Sequence, residues 1–207
     1  MSSATRSFSL LLFMACGEPA PDPPRGDPTG LALRFAIEAE DASPLDALTL
    51  RVDELVLFAD GPDGAAAVSH SGGDEVSLLP ARSRSTTVLL ELAPGRYRDV
   101  HTLAHLRPSG ARPAVEATGT YEGQPLELIV SMEVGLEGAV GELELVAGEP
   151  VALTYLLHPD AWLHDLDDAE PTGDRLLIDA SHNVPLYFEL VDTLEESTDV
   201  VLGGPDP

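Results

Sequence analysis

Apolar residues at every second position, in short runs broken by glycine and proline, are the feature that most narrows what this chain can become. Leu31, Leu33, Phe35, Ile37 and Ala39 alternate with more polar neighbours. Val88, Leu90 and Leu92 do the same, as do Val100, Thr102, Ala104 and Leu106. Leu126, Leu128, Val130 and Met132 alternate with residues that include Glu127, and Val151, Leu153, Tyr155 and Leu157 follow the pattern. Side chains of a strand point to opposite faces in turn, so this period describes strands with one buried face. Many such strands, separated by turn residues, build a sandwich or a barrel. The predicted fold class is all-β: an antiparallel β-sandwich with a short C-terminal α/loop extension.

Some stretches depart from simple alternation. Leu48, Leu50 and Val52 are followed by the apolar run Leu55–Phe58. The slip at Asp53-Glu54 predicts a bulge or a buried central strand. Asp60-Gly61-Pro62-Asp63-Gly64 is a strong turn signal. Ala65–Val68 and Glu75–Leu79 read as two short strands around a loop, His70–Asp74, with a hairpin at the tip of the domain. After His158 the period changes. Ala161–Leu166 fits one or two helical turns begun by Pro159-Asp160, and Asp167–Asp174 an acidic loop. Leu176–Ile178 fits a short strand and Asp199–Leu202 a final strand or a loose end. Val184, Tyr187 or Phe188, and Val191 stand at helical spacing, with Pro185 tolerated in the first turn.

Charge excludes one class of partner. The formal net charge is −25, from 36 acidic and 11 basic residues, and all the basic ones are arginine. Such a field repels phosphate backbones and anionic lipid, so nucleic acid is not expected as a partner. The single cysteine, Cys16, leaves no disulfide, and stability falls to the core.

That cysteine has another use. Arg6 precedes the apolar run Phe8–Met14, and Ala15-Cys16 follows. A basic start, a short apolar segment and a small residue describe an export signal. The run is far below the ~20 residues of a membrane span. Ala15-Cys16 resembles the lipobox of bacterial lipoproteins, although Phe13 stands where that family usually has leucine. The resemblance implies cleavage before Cys16, a diacylglyceryl thioether on its sulfur and acylation of the new amino group. Acyl chains add about 0.8 kcal/mol per buried CH₂, enough in pairs to hold a protein on a membrane. Gly17, where an aspartate would favour the inner membrane, points to the outer one, on its periplasmic face or at the cell surface. The expected organisation is a lipoprotein signal peptide over 1–15, a proline-rich tether over 16–30, a β-sandwich over 31–157 and an acidic extension over 158–207 packing on the sandwich. Gly17–Gly30 holds the prolines that make the tether a semi-rigid spacer.

Two further stretches resemble known families. Leu89-Leu90-Glu91-Leu92-Ala93-Pro94-Gly95-Arg96-Tyr97 is similar to a step in prealbumin-like β-sandwich domains of secreted bacterial proteins, including a lipoprotein family of unknown function. There a tight turn feeds an edge-facing aromatic. Trp162-Leu163 with Asp165, then Leu177-Ile178-Asp179 and Asn183, resembles the C-terminal segment of lipoproteins from high-GC bacteria and of MbnP-type periplasmic copper-associated proteins. The metal ligands of the latter find no match here residue by residue, so none is carried over.

Several constellations bear on chemistry. His101 and His105 have i,i+4 spacing, but on a strand that sets them ~13 Å apart, too far for one ion. The segment His158, Asp160, His164, Asp165, Asp167 and Asp168 is denser, and His158, His164, Asp165 and Asp167 are the candidate ligands for Zn²⁺ or Cu²⁺. A solvated acidic loop is the competing reading. Asp179, Ser181 and Asn183 offer oxygens at alternate positions but lack the glycine and distal glutamate of an EF-hand. An acidic loop can chelate calcium without that motif. No Gly-x-Ser-x-Gly elbow is present. Glu91 and Glu127 are a candidate carboxylate pair, which would act on glycosides only if held several ångströms apart across a cleft. Trp162, Tyr97, Tyr121, Tyr155 and Tyr187 offer rings for sugars, or for the core.

The reading that results is a lipid-anchored, non-enzymatic module of the cell envelope, binding or structural. Its partners are the membrane, through the lipid, and a protein or carbohydrate ligand. It needs no cofactor. The alternative is a periplasmic metal-handling lipoprotein, for Cu, Zn or Ca, using the His158–Asp167 segment.

Overall fold

A computed structural model describes residues 29–37, 44–79, 88–149 and 151–203. The expected signal peptide, Cys16 and most of the expected tether lie outside the described residues. Eleven strands are present among those described: β1 (Thr29–Ile37), β2 (Leu45–Gly61), β3 (Gly64–Leu79), β4 (Val88–Leu92), β5 (Gly95–Leu106), β6 (Val115–Tyr121), β7 (Gln124–Val130), β8 (Val134–Leu145), β9 (Val151–Leu157), β10 (Leu176–Ile178) and β11 (Asp199–Leu202). Two helices, α1 (Pro159–Trp162) and α2 (Val184–Glu196), and a 3₁₀ turn at Leu166–Asp168 follow β9.

The strands form two sheets. The smaller has the order β11-β9-β1-β4; the larger runs β10-β7-β6-β2-β5-β8, with β3 on β2. Most described neighbours are antiparallel, as expected, but β1 pairs with β9 and β10 with β7 in parallel. The alternating residues turn inward as the period requires. Leu31, Leu33, Phe35, Leu153, Tyr155 and Leu157 of the smaller sheet are buried against Leu48, Leu50, Leu55, Leu57 and Ala104 of the larger. Phe35 and Tyr155, paired across β1 and β9, stack with ring centroids 5.0 Å apart.

The slip at Asp53 is a bulge: β2 shifts register between Val52 and Glu54 against both β3 and β5. The extra residue moves the inward set from Leu48, Leu50 and Val52 to Leu55, Leu57 and Ala59. Phe58 is thereby turned outward and is 48% exposed. The same bulge corrects the reading of two short strands around a loop. His70–Asp74 lies within a single strand, β3, whose Ser71 and Asp74 pair with Glu54 and Val52. Gly72-Gly73 sits opposite Asp53, and Gly73 has φ +66°. Glycines that read as a loop let β3 follow the bulge, because they accept conformations closed to other residues. The hairpin turn is at Pro62-Asp63.

The larger sheet forks at Arg51. One edge of β2 carries β3 along most of its length. The other carries β6 over Leu45–Leu50 and β5 over Val52–Asp60. Arg51 sits at the hand-over: its N–H donates to the Ala114 carbonyl at 2.8 Å, and its carbonyl accepts from the Arg107 N–H at 3.1 Å. Two arms therefore leave the same edge of β2, β6-β7-β10 and β5-β8. Helix α2 touches both, and Glu195 accepts a hydrogen bond from Gly135 N at 2.9 Å in β8. The segment after His158 thus adds a strand to each sheet and a helix between the arms. On α2 the buried residues are Tyr187, Leu190, Val191 and Leu194, while Val184 and Phe188 of the expected apolar stripe are exposed.

Candidate functional site

The expected metal segment is divided by the fold. His158 follows β9 and caps α1, and its Nε2 lies 3.2 Å from Asp199 Oδ2 at the start of β11. Asp167 accepts the Tyr121 hydroxyl from β6. That bond, above all, pushes the Tyr121 phenol up to about 12. His164 and Asp165 stay together, with Nε2 and Oδ2 3.0 Å apart. The group that joins them is one the sequence reading missed: Glu189 of α2, whose Oε1 is 3.7 Å from His164 Nε2. Its only sequence signal is helical phase. With Tyr187, Leu190 and Val191 buried, position 189 faces outward.

Other candidates have structural partners. The Asp179 carboxylate accepts from Ser181 N at 2.7 Å, His182 N at 2.8 Å and lies 3.0 Å from His182 Nδ1. Burial alone would raise its pKa; those donors outweigh burial and hold it below the usual carboxylate range. Asn183, in the left-handed region at φ 51°, bonds Glu170 through both its oxygen and its amide and also donates to the Leu177 carbonyl. The Asp179 and Asn183 oxygens considered for calcium are thus committed to shaping the turn before α2. Glu91 and Glu127 lie on different sheets, and Glu127 pairs with Arg175. His105 Nδ1 is 3.2 Å from Glu133, which also accepts from Arg107 at 3.0 Å. The Arg107 bond foremost holds the Glu133 carboxyl below its ordinary range. His101 is exposed on β5.

The ring inventory is also sorted. Trp162, Tyr97, Tyr155 and Tyr187 are buried. Tyr97, the expected edge-facing aromatic, turns inward, and its hydroxyl donates to the Ala93 carbonyl at 2.7 Å, closing the turn before β5. Burial, with Asp63 adding, raises its phenol. Burial also raises the Tyr155 phenol, an effect partly offset by Thr102 across the core. The exposed large aromatics among the described residues are Phe58 and Phe188.

Phe58 has the more structured surroundings. Strand register sets one row across four strands: Ala67 on β3, Phe58 on β2, His101 on β5 and Ala139 on β8. Ala67 flanks the ring on one side and His101 on the other, and a shallow depression opens on each side. One, of about 320 Å³, is bounded by His101, Leu103 and Glu137; the other, of about 280 Å³, by Asp60, Asp99 and the Ala65–Ala67 stretch. An apolar ring set among carboxylates and an imidazole can stack on one face of a ligand and hydrogen-bond its edges.

No family model matches the chain, and no curated protein does. Among solved structures there is a likeness to one described as "crystal structure of a putative cell adhesion protein from Bacteroides ovatus", at 15% identity and a TM-score of 0.23. It covers 64% of this chain and 40% of that one, so the chain spans about two fifths of its length.

Proposed function

We propose that the chain is a lipid-anchored module of the cell envelope that binds a carbohydrate ligand without transforming it, on the sheet face around Phe58. The observation that carries this reading is the ring itself. Phe58 is 48% exposed in the middle of a sheet face. Ala67 beside it on β3 is too short to cover the ring, and His101 flanks it on β5. Sugars present an apolar C–H face bordered by hydroxyls, and Asp60, Asp99, His101 and Glu137 supply acceptors and a donor around the ring.

Anchoring at Cys16 rests on the lipobox-like Ala15-Cys16. The body suits a tether. β1, the first described strand, is held on both sides, by β9 over Leu31–Ile37 and by β4 over Thr29–Leu33. A pull from the N-terminal side would have to shear both ladders together.

The test has two arms. The mature protein and Phe58→Ala are applied to a glycan array: specific spots bound by the first and lost by the second, with unchanged thermal unfolding, are expected. An array with no specific spot overturns the carbohydrate reading, and release of new reducing ends from a bound glycan overturns the non-enzymatic one. In cells, Cys16→Ala is expected to abolish palmitate labelling and release the protein from the membrane fraction; unchanged labelling removes the anchor.

A further inference from the structure

We propose that His164, Asp165 and Glu189 form a surface site for a divalent cation of the zinc class. The site uses other strands and helices than the Phe58 face and stands independently of it. It keeps two of the four ligands expected from the sequence and replaces His158 and Asp167 with a carboxylate from α2.

The argument begins with the ring. His164 Nδ1 lies 2.7 Å from the Ala161 carbonyl oxygen, which can only accept. Nδ1 therefore carries the hydrogen, and the neutral ring has its lone pair on Nε2. That lone pair faces Asp165 Oδ2 at 3.0 Å and Glu189 Oε1 at 3.7 Å. Three acceptors, two of them anionic, share one point, with all ligand atoms within 4.8 Å of one another. They repel unless a cation stands among them, either a proton on Nε2 or a metal ion. A ring hydrogen-bonded through one nitrogen to a backbone carbonyl, with the lone pair of the other turned toward further ligand groups, is how a metal-bound histidine is usually oriented.

The dimensions suit an ion. Zinc bonds of ~2.0–2.1 Å imply ligand separations of roughly 3.3–3.5 Å at a tetrahedral centre. The 3.0 and 3.7 Å separations bracket that range. The backbone under the ligands is fixed. Leu163 and Leu166 are buried on either side of His164-Asp165, and Tyr187 and Leu190 on either side of Glu189. One nitrogen and two carboxylate oxygens favour zinc over calcium, which takes six to eight oxygens, and over copper(I), which prefers sulfur. The side chains are about half exposed, so the remaining positions fall to water. The field of a chain of formal charge −25 raises the local concentration of any cation.

The test uses the mature protein purified without a histidine tag, titrated with ZnCl₂ by calorimetry over a calcium background that saturates loose acidic binding. Expected is one zinc equivalent, about tenfold or more weaker in Glu189→Gln, lost in His164→Ala and unchanged in His158→Gln. Circular dichroism checks that each variant is folded. A second readout keeps the test alive if His164→Ala misfolds: the ¹⁵N resonance of His164 Nε2 in the unaltered protein is expected to shift with zinc while that of Nδ1 keeps its proton. Absence of saturable binding, or binding indifferent to Glu189→Gln, or an Nε2 proton that zinc does not displace, overturns the site and leaves an imidazolium bridge.

Discussion

Gly138 of β8 lies against Val200 of β11 so closely that a Cβ at position 138 would come within 2.1 Å of Val200 Cγ2 and 2.5 Å of its Cβ. The two residues belong to different sheets. Their contact is where the outer strand of the β5-β8 arm meets the outer strand of the smaller sheet.

Gly138→Ala should therefore force the two sheets apart, because Val200 is stiff at χ1 and cannot swing aside. A loss of about 1–3 kcal/mol is expected, by analogy with overpacked cores. Gly135→Ala is the control, since its Cβ would meet only Leu103 Cδ1, at 3.5 Å. Urea denaturation of both variants checks this: equal midpoints would remove the sheet contact as a constraint.

The fork residue offers a second test. The Arg51 side chain is only 11% exposed, and its Nη2 pairs with Glu75 Oε2 at 3.0 Å. Its Nε is buried without a partner. Glu75→Gln leaves the guanidinium without its counter-charge and is expected to cost about 1–2 kcal/mol, because Glu75 itself is half exposed. Arg51→Met removes both the pair and the unsatisfied Nε, and should be within about 1 kcal/mol of neutral. Thermal unfolding that ranks Arg51→Met well below Glu75→Gln would contradict this account.

The bond between Tyr121 and Asp167 predicts a pH effect. The phenol is raised from 10.0 to about 12, with that hydrogen bond as the main cause. Its contribution is fully present below pH ~10 and is lost as pH rises toward 12, since the folded chain holds the proton more tightly than the unfolded one. Asp167→Asn should return the phenol toward its ordinary value. Tyrosinate absorbance is expected to show one ring titrating earlier in the variant than in the unaltered protein; superimposable curves would refute the assignment.

Asn183 closes the set. It takes a left-handed conformation and makes three hydrogen bonds, to Glu170 N at 2.7 Å, Glu170 O at 3.0 Å and Leu177 O at 2.8 Å. Asn183→Ala loses the bonds and strains the backbone, at a cost of about 2–3 kcal/mol. Asn183→Gly loses the bonds alone and should be about 1 kcal/mol milder. Chemical denaturation orders the two, and the reverse order would show that the conformation carries no strain.

Much of the fold was legible because it is local. The alternation of Leu126, Leu128 and Val130, the slip at Asp53 and the turn at Pro62-Asp63 each declare themselves within a few residues. The loop reading of His70–Asp74 failed because the need for Gly72-Gly73 lies in the partner strand. Acid and histidine content near His158 marked a segment, and two of its four candidate ligands, His164 and Asp165, stand together.

What the sequence by itself determined is where most of the strands lie and which of their faces is apolar. The tertiary structure alone decided that two arms leave β2 at Arg51, that His158 and Asp167 go to Asp199 and Tyr121, and that Glu189 comes to His164 from α2. The reason is one of range. Side-chain direction in a strand is set residue by residue, by backbone geometry. Which sheet edge or helix stands opposite is set by burying apolar surface between segments far apart in the chain, and no short stretch of sequence records it.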